Sequence, residues 1–411
     1  MTSNDGFFQK QQPAAVLKHA VLAEYCHVFT SMVGSWHTGP IWLIDGYAGP
    51  GSYYPCDDEA EPIPGSPIVA MKLAETWHKN KIRDLRCAFI EHNPQFARLL
   101  QEKIAPFQQH GLAAVVLEGS VDEQLPTAWR KVAGAPVVTF LDPFGVDAVP
   151  HRFMTDMLLD KSRAFPSEVL LNINVEAVWR IGGCLEKRGG VVVAKRDQER
   201  SVERVDQFIG DTWWRERFHE ARHNGGGSAA AAAESVVTQY RQNICRTTGY
   251  TSMSVPIRRR PGHPPLFHLT LFYRQGVAGY KFADAASRAT RKWRNVFRAE
   301  DLASALTPVE DALFDFSDEI QKSLEAKAAE EEKTMSEQWV RIIKDNIRSG
   351  LAKRGRLSLA DDITTILGTT LSLAGEPQIR KAWNQLADEG AVNPRDKSKK
   401  KMHQLSIVAK R

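Results

Sequence analysis

The 411-residue sequence has few cysteines and no long hydrophobic run. Its five cysteines are scattered, are odd in number and form no C-x-x-C pair, which argues against a disulfide framework. No apolar run approaches the roughly 20 residues of a membrane span. The first twelve residues are polar and lack the apolar core of a signal peptide. We therefore expect a protein of the reducing cytoplasm with no membrane segment. We also expect no catalytic metal site, because we identify no ligand spacing among the 12 histidines and the cysteines.

The composition is that of an ordinary globular protein, with an uneven charge distribution. Hydrophobic residues make up 43% of the chain and charged residues 25%, and the length suffices for two or three domains. The formal net charge is +5, but residues 336–411 alone hold 15 Lys and Arg against eight Asp and Glu, a net of +7. Such a basic segment is typical of a nucleic-acid contact surface, although a solvated lysine-rich tail has the same composition.

Apolar runs alternate with amphipathic segments along the first 175 residues, which predicts an α/β fold with a parallel, doubly wound sheet. Two further apolar runs, close together in the sequence, predict an antiparallel pair at the sheet edge. Residues 175–250 fit this alternation poorly, and we expect a helical insertion there. The predicted strands are 41–45, 85–91, 113–117, 137–141, 169–173, 251–257 and 266–273, and the predicted helices of the core are 13–33, 94–105, 122–132 and one that starts with Ser66 as N-cap and Pro67 as first residue.

Acidic residues follow three of the predicted strands. The first strand leads into Asp45-Gly46-Tyr47-Ala48-Gly49-Pro50-Gly51, the second ends at Glu91, and the fourth leads into Asp142-Pro143-Phe144-Gly145. In an open parallel sheet, ligands bind outside the carboxyl ends of the strands, so these acids should converge on one crevice. Such a crevice suits a nucleoside cofactor and a planar substrate that bears an amine.

The C-terminal third is expected to form a separate part of the molecule. A helix at 280–298 is rich in arginine, and a charged helical connector is predicted for 301–335. Residues 336–411 contain a predicted helix at 378–389, two short strands at 391–392 and 405–408, and the basic loop 395–401 between them. This order favours a small winged-helix-like basic domain, beside a first domain that spans 1–300.

Up to about residue 300, the sequence resembles the bacterial three-Cys-motif partner proteins and the related adenine-N6 methyltransferase of large-subunit ribosomal RNA. Both are S-adenosylmethionine (SAM)-dependent methyltransferases or similar to them. The motifs that support the resemblance occur in one order over roughly 130 residues. They are Leu17-Lys18-His19, the Asp45–Gly51 loop, Gly65-Ser66-Pro67, Phe89-Ile90-Glu91 and Asp142-Pro143-Phe144-Gly145.

The resemblance implies a Rossmann-like class I methyltransferase fold and a role for each motif in cofactor binding. Gly49 and Gly51 would lie under the methionine part of SAM, and Asp45 near its amino group, with Gly46 and Tyr47 in the same loop. Glu91 would accept hydrogen bonds from the two ribose hydroxyls. Ser120 falls where an Asp usually contacts the adenine amine, and Asp122 is a candidate helix N-cap.

The resemblance also implies the chemistry. Amino-methyltransferases of bases place an acid, a proline and an aromatic residue after the fourth strand. Here Asp142 and Pro143 would accept the hydrogens of an exocyclic amine, and Phe144 would stack on the extruded base. Lys18 lies on a helix that would border the active site. The motif D-P-F-G also resembles that of the tRNA guanine-N2 methyltransferases, so the base stays open.

Three functions are compatible with these observations. The first is a SAM-dependent N-methyltransferase that acts on an exocyclic base nitrogen of RNA or DNA. The second is a non-catalytic or weakly catalytic subunit that binds nucleic acid, and the third is a small-molecule methyltransferase. The resemblance also makes a three-Cys-motif protein a candidate partner.

Overall fold

The computed structural model describes residues 13–53, 62–80, 82–143, 149–223, 227–305, 317–396, 398 and 401–410, apart from the side chains of 299–321 and 324. The chain divides into two compact units, Met1–Arg274 and Gln275–Arg411. The sequence placed this division near residue 300. The arginine-rich helix that lies between the two positions belongs to the second unit.

A seven-stranded sheet forms the centre of the first unit, and two short hairpins accompany it. Its strands lie in the order β10-β11-β7-β6-β1-β4-β5. The five strands β7, β6, β1, β4 and β5 run parallel, and β11 is antiparallel to both of its neighbours. The strands of this unit are β1 (Ile41–Asp45), β2 (Ser52–Tyr53), β3 (Ile63–Pro64), β4 (Leu85–Glu91), β5 (Ala114–Glu118), β6 (Val137–Leu141), β7 (Ser167–Asn174), β8 (Leu185–Arg188), β9 (Val191–Ala194), β10 (Thr251–Ile257) and β11 (Phe267–Tyr273).

This strand order, with one antiparallel strand inserted next to the edge, is that of a Rossmann-like class I methyltransferase fold. The predicted fold class is confirmed for the first unit. The chain first builds the sheet outward from β1 through β4 to β5, and then returns to add β6 and β7 on the other side of β1. In sheets of this kind, ligands bind outside the carboxyl ends of the strands at the switch point, which here lies between β1 and β6.

Helices cover both faces of the sheet, and four of them form the expected helical insertion together with the hairpin β8–β9. Because helices cover both faces, the central strands β1 and β6 are buried along their whole length. The helices are α1 (Pro13–Val33), α2 (Ser66–Lys79), α3 (Pro94–Gln109), α4 (Val121–Val132), α5 (His151–Phe153), which continues into a π-helical turn, α6 (Val175–Gly182), α7 (Glu199–Ile209), α8 (Trp213–His223) and α9 (Ala229–Thr248).

Two predicted helix caps were wrong. Gly65 is the N-cap of α2, and Ser66 is its first residue. Ser120 is the N-cap of α4, because the Glu123 side chain accepts a hydrogen bond from the Ser120 backbone N–H at 3.1 Å. Asp122 lies in the first turn of α4, where its charge favours the helix dipole without capping the helix.

The second unit is mainly helical. Its strands β12 and β13 pair antiparallel, and Val392 forms a single bridge with Ala409 beside them. The predicted helix 378–389 corresponds to α13, and the predicted strand 405–408 corresponds to β13. Helix α11 runs through the second half of the predicted connector. Residues 306–316 of the connector and Lys397, Lys399 and Lys400 of the basic loop lie outside the described residues. The elements are α10 (Gly276–Ala305), α11 (Ser317–Arg354), β12 (Arg356–Ser358), α12 (Ile363–Leu367), α13 (Glu376–Asp388) and β13 (Ser406–Val408).

Across the described ranges of both units, we find no helix with the combination of length and apolar character that crossing a membrane requires.

Candidate functional site

The carboxyl ends of three neighbouring strands bring Asp45, Glu91 and Asp142 to one edge of the sheet. Strand β1 lies between β4 and β6, and Asp45 is in register with Phe89 of β4 and Phe140 of β6. Parallel pairing puts the ends of all three strands on the same side. The predicted convergence of the three acids therefore occurs, and the charges of Asp142 and Glu91 both act on Asp45.

The glycine-rich loop after β1 is tied to both neighbouring strands. The Gly46 N–H donates to the Phe140 carbonyl at 2.9 Å, and the Gly49 N–H donates to Glu91 Oε2 at 2.8 Å. Gly49 and Gly51 have φ angles of 64° and 84°, a backbone conformation that residues with a Cβ rarely adopt. The loop thus stays close to the strand ends, and its backbone carries no side chain at Gly46, Gly49 and Gly51.

Glu91 is held in one orientation by backbone donors. Its side chain is 4% exposed. Oε2 accepts from Gly49 and Oε1 accepts from the Asn93 N–H at 2.7 Å. The exposed ring of His92 also places Nδ1 3.2 Å from Oε1. A carboxylate has about four lone-pair positions, so Oε2 can accept one more hydrogen bond, and Oε1 can do so where the His92 ring turns away. Two neighbouring hydroxyl groups match this remaining capacity.

Asp45 is a buried carboxyl group with an unusual titration. It is 1% exposed. Burial raises the pKa of Asp45 to about 7, against the lowering effect of hydrogen bonds from the Ser66 side chain and the Tyr47 backbone. Its Oδ2 atom has no hydrogen-bond partner among the described residues. Because a buried acceptor without a donor is unfavourable, a ligand that brings a cationic donor would stabilise the site.

Asp142 forms the centre of a second cluster. Both of its oxygens accept hydrogen bonds from Lys18 Nζ, at 2.8 and 2.6 Å, and Oδ1 also accepts from Asn172 Nδ2 at 2.7 Å. The side chain of Lys18 is 7% exposed, and its Nζ also lies 5.1 Å from the centre of the Phe267 ring. Helix α1 thus brings Lys18, which the sequence had singled out, onto the acid that follows β6.

Asn172 is a site residue that the sequence analysis missed. It lies in β7, is 1% exposed, and has an Oδ1 atom without a partner among the described residues. The sequence does hold a signal, because Asn172 is the one polar residue in the apolar run Val169 to Ile173. A buried amide in such a strand needs hydrogen-bond partners, and here one of them is Asp142.

His19 lies next to Lys18 and is buried against the ring of Tyr53, with ring centres 5.8 Å apart. Burial and the charge of Lys18 together lower the pKa of His19 to about 4, against the raising effect of Asp142. The imidazole is therefore neutral at neutral pH. It can donate or accept a hydrogen bond but adds no charge to the site.

The remaining predicted site residues are only partly placed. Pro143 is buried directly after Asp142, while Phe144 and Gly145 lie outside the described residues. Ser120 follows β5, whose Glu118 is in register with Glu91, so it lies at the same sheet edge and is exposed. Its observed contact is the cap on α4 described above.

One histidine pair has the spacing of metal ligands, which the sequence analysis overlooked. His219 and His223 are four residues apart in His219-Glu220-Ala221-Arg222-His223, and their rings stack at 4.1 Å on α8. His223 Nδ1 lies 2.8 Å from the His219 carbonyl oxygen. A catalytic zinc site needs three protein ligands. Within the described part of the chain, no group of three His, Cys, Asp or Glu side chains could hold a metal ion.

No protein-family model matches this sequence. No curated protein matches it either. Among solved structures, the chain is similar to the plantazolicin methyltransferase BpumL in complex with SAH, at 11% identity and a TM-score of 0.25. The similarity covers 63% of this chain and 85% of that chain. Agreement at this level carries no weight for the site, whose assignment rests on the strand order and on the geometry of its own side chains.

Proposed function

We propose that this chain is a SAM-dependent methyltransferase that modifies an exocyclic base nitrogen in RNA or DNA. The observation that carries the proposal is the position of Asp142, which follows a central strand of a methyltransferase sheet and is fixed by Lys18 and Asn172. A glycine-rich loop and Glu91 follow the adjacent strands. A hydrogen-bond acceptor for an amine therefore lies beside groups that suit a nucleoside cofactor.

The residues at the first two strand ends fit SAM. Glu91 has acceptor capacity left for ribose hydroxyls once the exposed His92 ring turns away from Oε1. The left-handed backbone at Gly49 and Gly51 keeps the loop against the strand ends, where the cofactor would bind. The buried Asp45 Oδ2 would accept from the ammonium group of the methionine part, which satisfies an atom that otherwise lacks a donor. When bound, the cofactor supplies a methyl group on a sulfonium, which is already activated for transfer.

Because the methyl group is activated, the protein needs mainly to position the acceptor nitrogen. Asp142 would accept a hydrogen from the exocyclic amine and turn the nitrogen lone pair toward the methyl group. The nitrogen would gain the methyl group as the carbon–sulfur bond breaks, and it would pass one proton to the Asp142 carboxylate and from there to water. Lys18 holds the Asp142 carboxylate in place through both oxygens and cannot take up this proton while it is an ammonium group.

An amine has two hydrogens and needs a second acceptor. Asp142 already accepts three hydrogen bonds, from Lys18 twice and from Asn172 once, which leaves about one lone-pair position. The unpartnered Oδ1 of Asn172 is a candidate for the second hydrogen beside the Pro143 carbonyl, because the Nδ2 of the same amide is bonded to Asp142. In this proposal Asn172 orients both the acid and the substrate.

Nucleic acid as the substrate is supported by the sequence resemblance to the three-Cys-motif partner proteins and to the ribosomal RNA adenine-N6 methyltransferase. A three-Cys-motif protein is accordingly a candidate partner. In the second unit, α13 is followed by Val392, which forms a single bridge, and later by β13. We infer a winged-helix-like domain from this succession and from the basic sequence between the two. Its basic loop 395–401 would contribute phosphate contacts.

A second function is favoured by two observations. Lys18 and Asn172 already engage most of the Asp142 carboxylate, and Ser120 replaces the acid expected at the adenine amine. These features would suit a non-catalytic subunit that binds nucleic acid with a methyltransferase fold. The two functions differ in whether the purified chain transfers a methyl group.

The test uses the full chain with methyl-labelled SAM, total RNA and single-stranded DNA, followed by mass spectrometry of the nucleosides. We expect an N-methylated base. Asp142→Ala and the size-matched Asp142→Asn should lower the rate by about 100-fold or more, the scale of losing substrate alignment, while cofactor affinity changes little. Asp84→Ala is the control, because Asp84 is exposed at the amino end of β4.

Two results would contradict the proposal. Full activity of both Asp142 variants would remove Asp142 from the chemistry. Cofactor binding without methyl transfer to any nucleic acid would favour the non-catalytic subunit instead.

A further inference from the structure

A groove of about 390 Å³ lies in the first unit where the helical insertion meets the strand pair β10–β11. Glu176 and Trp179 of α6 form one wall, and Ala230 and Glu234 of α9 form another. Arg259, in the connection between β10 and β11, closes the rim. None of these residues has a role in the cofactor site or in the cluster around Asp142.

The groove adjoins the candidate active site through the backbone. Leu266 lines the groove, and its carbonyl accepts a hydrogen bond from the Val175 N–H at 3.0 Å. The next residue, Phe267, lies with its ring centre 5.1 Å from Lys18 Nζ, and Lys18 is bonded to Asp142. The groove therefore lies at the carboxyl end of β7, as Asp142 does at the carboxyl end of β6, because Phe267 is in register with Asn174.

The wall of the groove presents an aromatic side chain to solvent. Trp179 is 44% exposed, whereas Val175 and Val178 of the same helix are buried in the core. The helix thus packs through its valines and leaves the indole outside. An exposed indole at the edge of a concave surface offers a face on which an unpaired base can stack.

The rim of the groove carries a surplus of positive charge. Arg258, Arg259 and Arg260 are consecutive, and the Arg259 side chain is 65% exposed with Glu176 at 3.6 Å. The other acid of the groove, Glu234, lies 2.8 Å from His268 Nε2. Arg259 lines the groove, and Arg258 and Arg260 flank it in the chain. Glu176 lies beside Arg259, and the charge of Glu234 acts on Arg258, so the arginines outnumber the acids, which favours an anionic occupant.

We propose that this groove binds the single strand of nucleic acid that flanks the target base, with phosphates at Arg258–Arg260 and a neighbouring base stacked on Trp179. The inference rests on the proposed function and assigns the substrate channel to the insertion. Exposed aromatic rings beside arginines are the usual elements of sequence-tolerant single-strand binding. A duplex would not fit this arrangement, because its bases are already stacked on one another.

The test measures binding of a fluorescein-labelled, mixed-sequence 20-nucleotide single-stranded RNA to the full chain in the presence of the demethylated cofactor SAH. Trp179→Ala should weaken affinity by at least about fivefold, the lower end of the loss for one stacked base. Trp179→Phe keeps an aromatic face and should restore most of the affinity. Arg259→Gln should weaken affinity and lower its dependence on salt.

The controls are a tryptophan and an arginine near the amino ends of the central strands, on the opposite side from the groove. Trp36→Ala removes an exposed tryptophan that precedes β1, and Arg86→Gln removes a half-exposed arginine at the start of β4. Neither should change RNA affinity. A duplex of the same sequence should bind more weakly than the single strand, and the difference should vanish in Trp179→Ala.

The groove and the proposed function fail in different ways. If the protein methylates nucleic acid but Trp179→Ala and Arg259→Gln bind RNA as well as the wild type, the groove does not bind the substrate strand and the methyltransferase proposal stands. If RNA binding depends on Trp179 but no methyl group is transferred, the groove proposal is supported and the methyltransferase proposal is contradicted. Equal, Trp179-independent binding of single strand and duplex would also overturn the groove.

Discussion

The affinity of this protein for SAM and SAH should rise steeply between pH 5 and pH 7, with Asp45 as the cause. The proposed partner of the cofactor ammonium group is the Asp45 carboxylate, which must be ionised to attract it. Burial raises the pKa of Asp45 from 3.8 to about 7 in the protein without ligand. Below pH 7 a proton therefore has to leave Asp45 before the ammonium group can bind.

The size of the effect follows from the fraction of Asp45 that is ionised. With a pKa of about 7, roughly one molecule in ten is ionised at pH 6 and one in a hundred at pH 5. Apparent affinity scales with the competent fraction, so it should be about 10-fold weaker at pH 6 and about 100-fold weaker at pH 5 than above pH 8. Binding near pH 6 should also release close to one proton.

The same shift has the opposite consequence for the protein without ligand. Because the folded pKa lies above the unfolded value of 3.8, the native state binds this proton more tightly. The contribution of Asp45 to stability is therefore present at low pH and is lost as pH rises through about 4 to 7. Asp45→Asn should remove this decline, since the amide does not titrate.

Calorimetry with SAH from pH 5 to pH 8, in buffers of different ionisation enthalpy, measures both affinity and proton release. Asp45→Asn should bind weakly and without the pH dependence. Glu168→Gln is a matched control, because burial also raises the pKa of Glu168 to about 7, but this acid is bonded to Tyr25 at the amino end of β7. His19, with a pKa of about 4, stays neutral throughout. A flat profile in the wild type, or a retained slope in Asp45→Asn, would refute the assignment.

Three further outcomes are expected. Glu91→Gln should weaken SAH binding about 5- to 150-fold by calorimetry, because an amide would face the N–H of Gly49 or Asn93, and unchanged affinity would exclude Glu91 from the site. Lys18→Met should lower the rate of methyl transfer with little change in cofactor affinity, because the Asp142 carboxylate loses the two hydrogen bonds from Lys18. An equal loss of cofactor affinity would point to a role in folding. Replacing the four lysines at 397 and 399–401 by glutamine should reduce the salt dependence of RNA binding by about 0.7–0.9 log units per lost contact, and equal slopes would mean that the loop does not touch phosphate.

The strand ends were predictable because their signals are local. An apolar run followed by an acid and glycines identifies the end of β1 without any knowledge of the fold. Parallel pairing then brings Asp45, Glu91 and Asp142 to one edge, and that follows from topology alone. The structure added the bond from Gly49 to Glu91, which joins two motifs that are 42 residues apart.

The cluster around Asp142 was less accessible to sequence reasoning. Lys18 and Asp142 are 124 residues apart, and their contact depends on where α1 lies against the sheet. Asn172 stood out only as a polar residue in an apolar strand, and the raised pKa of Asp45 depends on burial that local patterns do not measure. The helix caps failed for a similar reason, because Ser66 has a partner in Asp45 that lies outside its own helix.

The place of the insertion in the topology separates cofactor binding from substrate binding. Strands β1 and β4 provide the proposed cofactor residues, whereas β6, β7 and β11 provide Asp142, Asn172 and Phe267. An insertion directly after β7 therefore stands on the substrate side of the sheet. Substitutions at Trp179 or Arg259 should leave SAH affinity unchanged, and Glu91→Gln should leave RNA affinity unchanged when no cofactor is present. Calorimetry with SAH and RNA-binding measurements on the same three variants test this separation. If each variant lost affinity for both SAH and RNA, the cofactor residues and the substrate residues would act as one site.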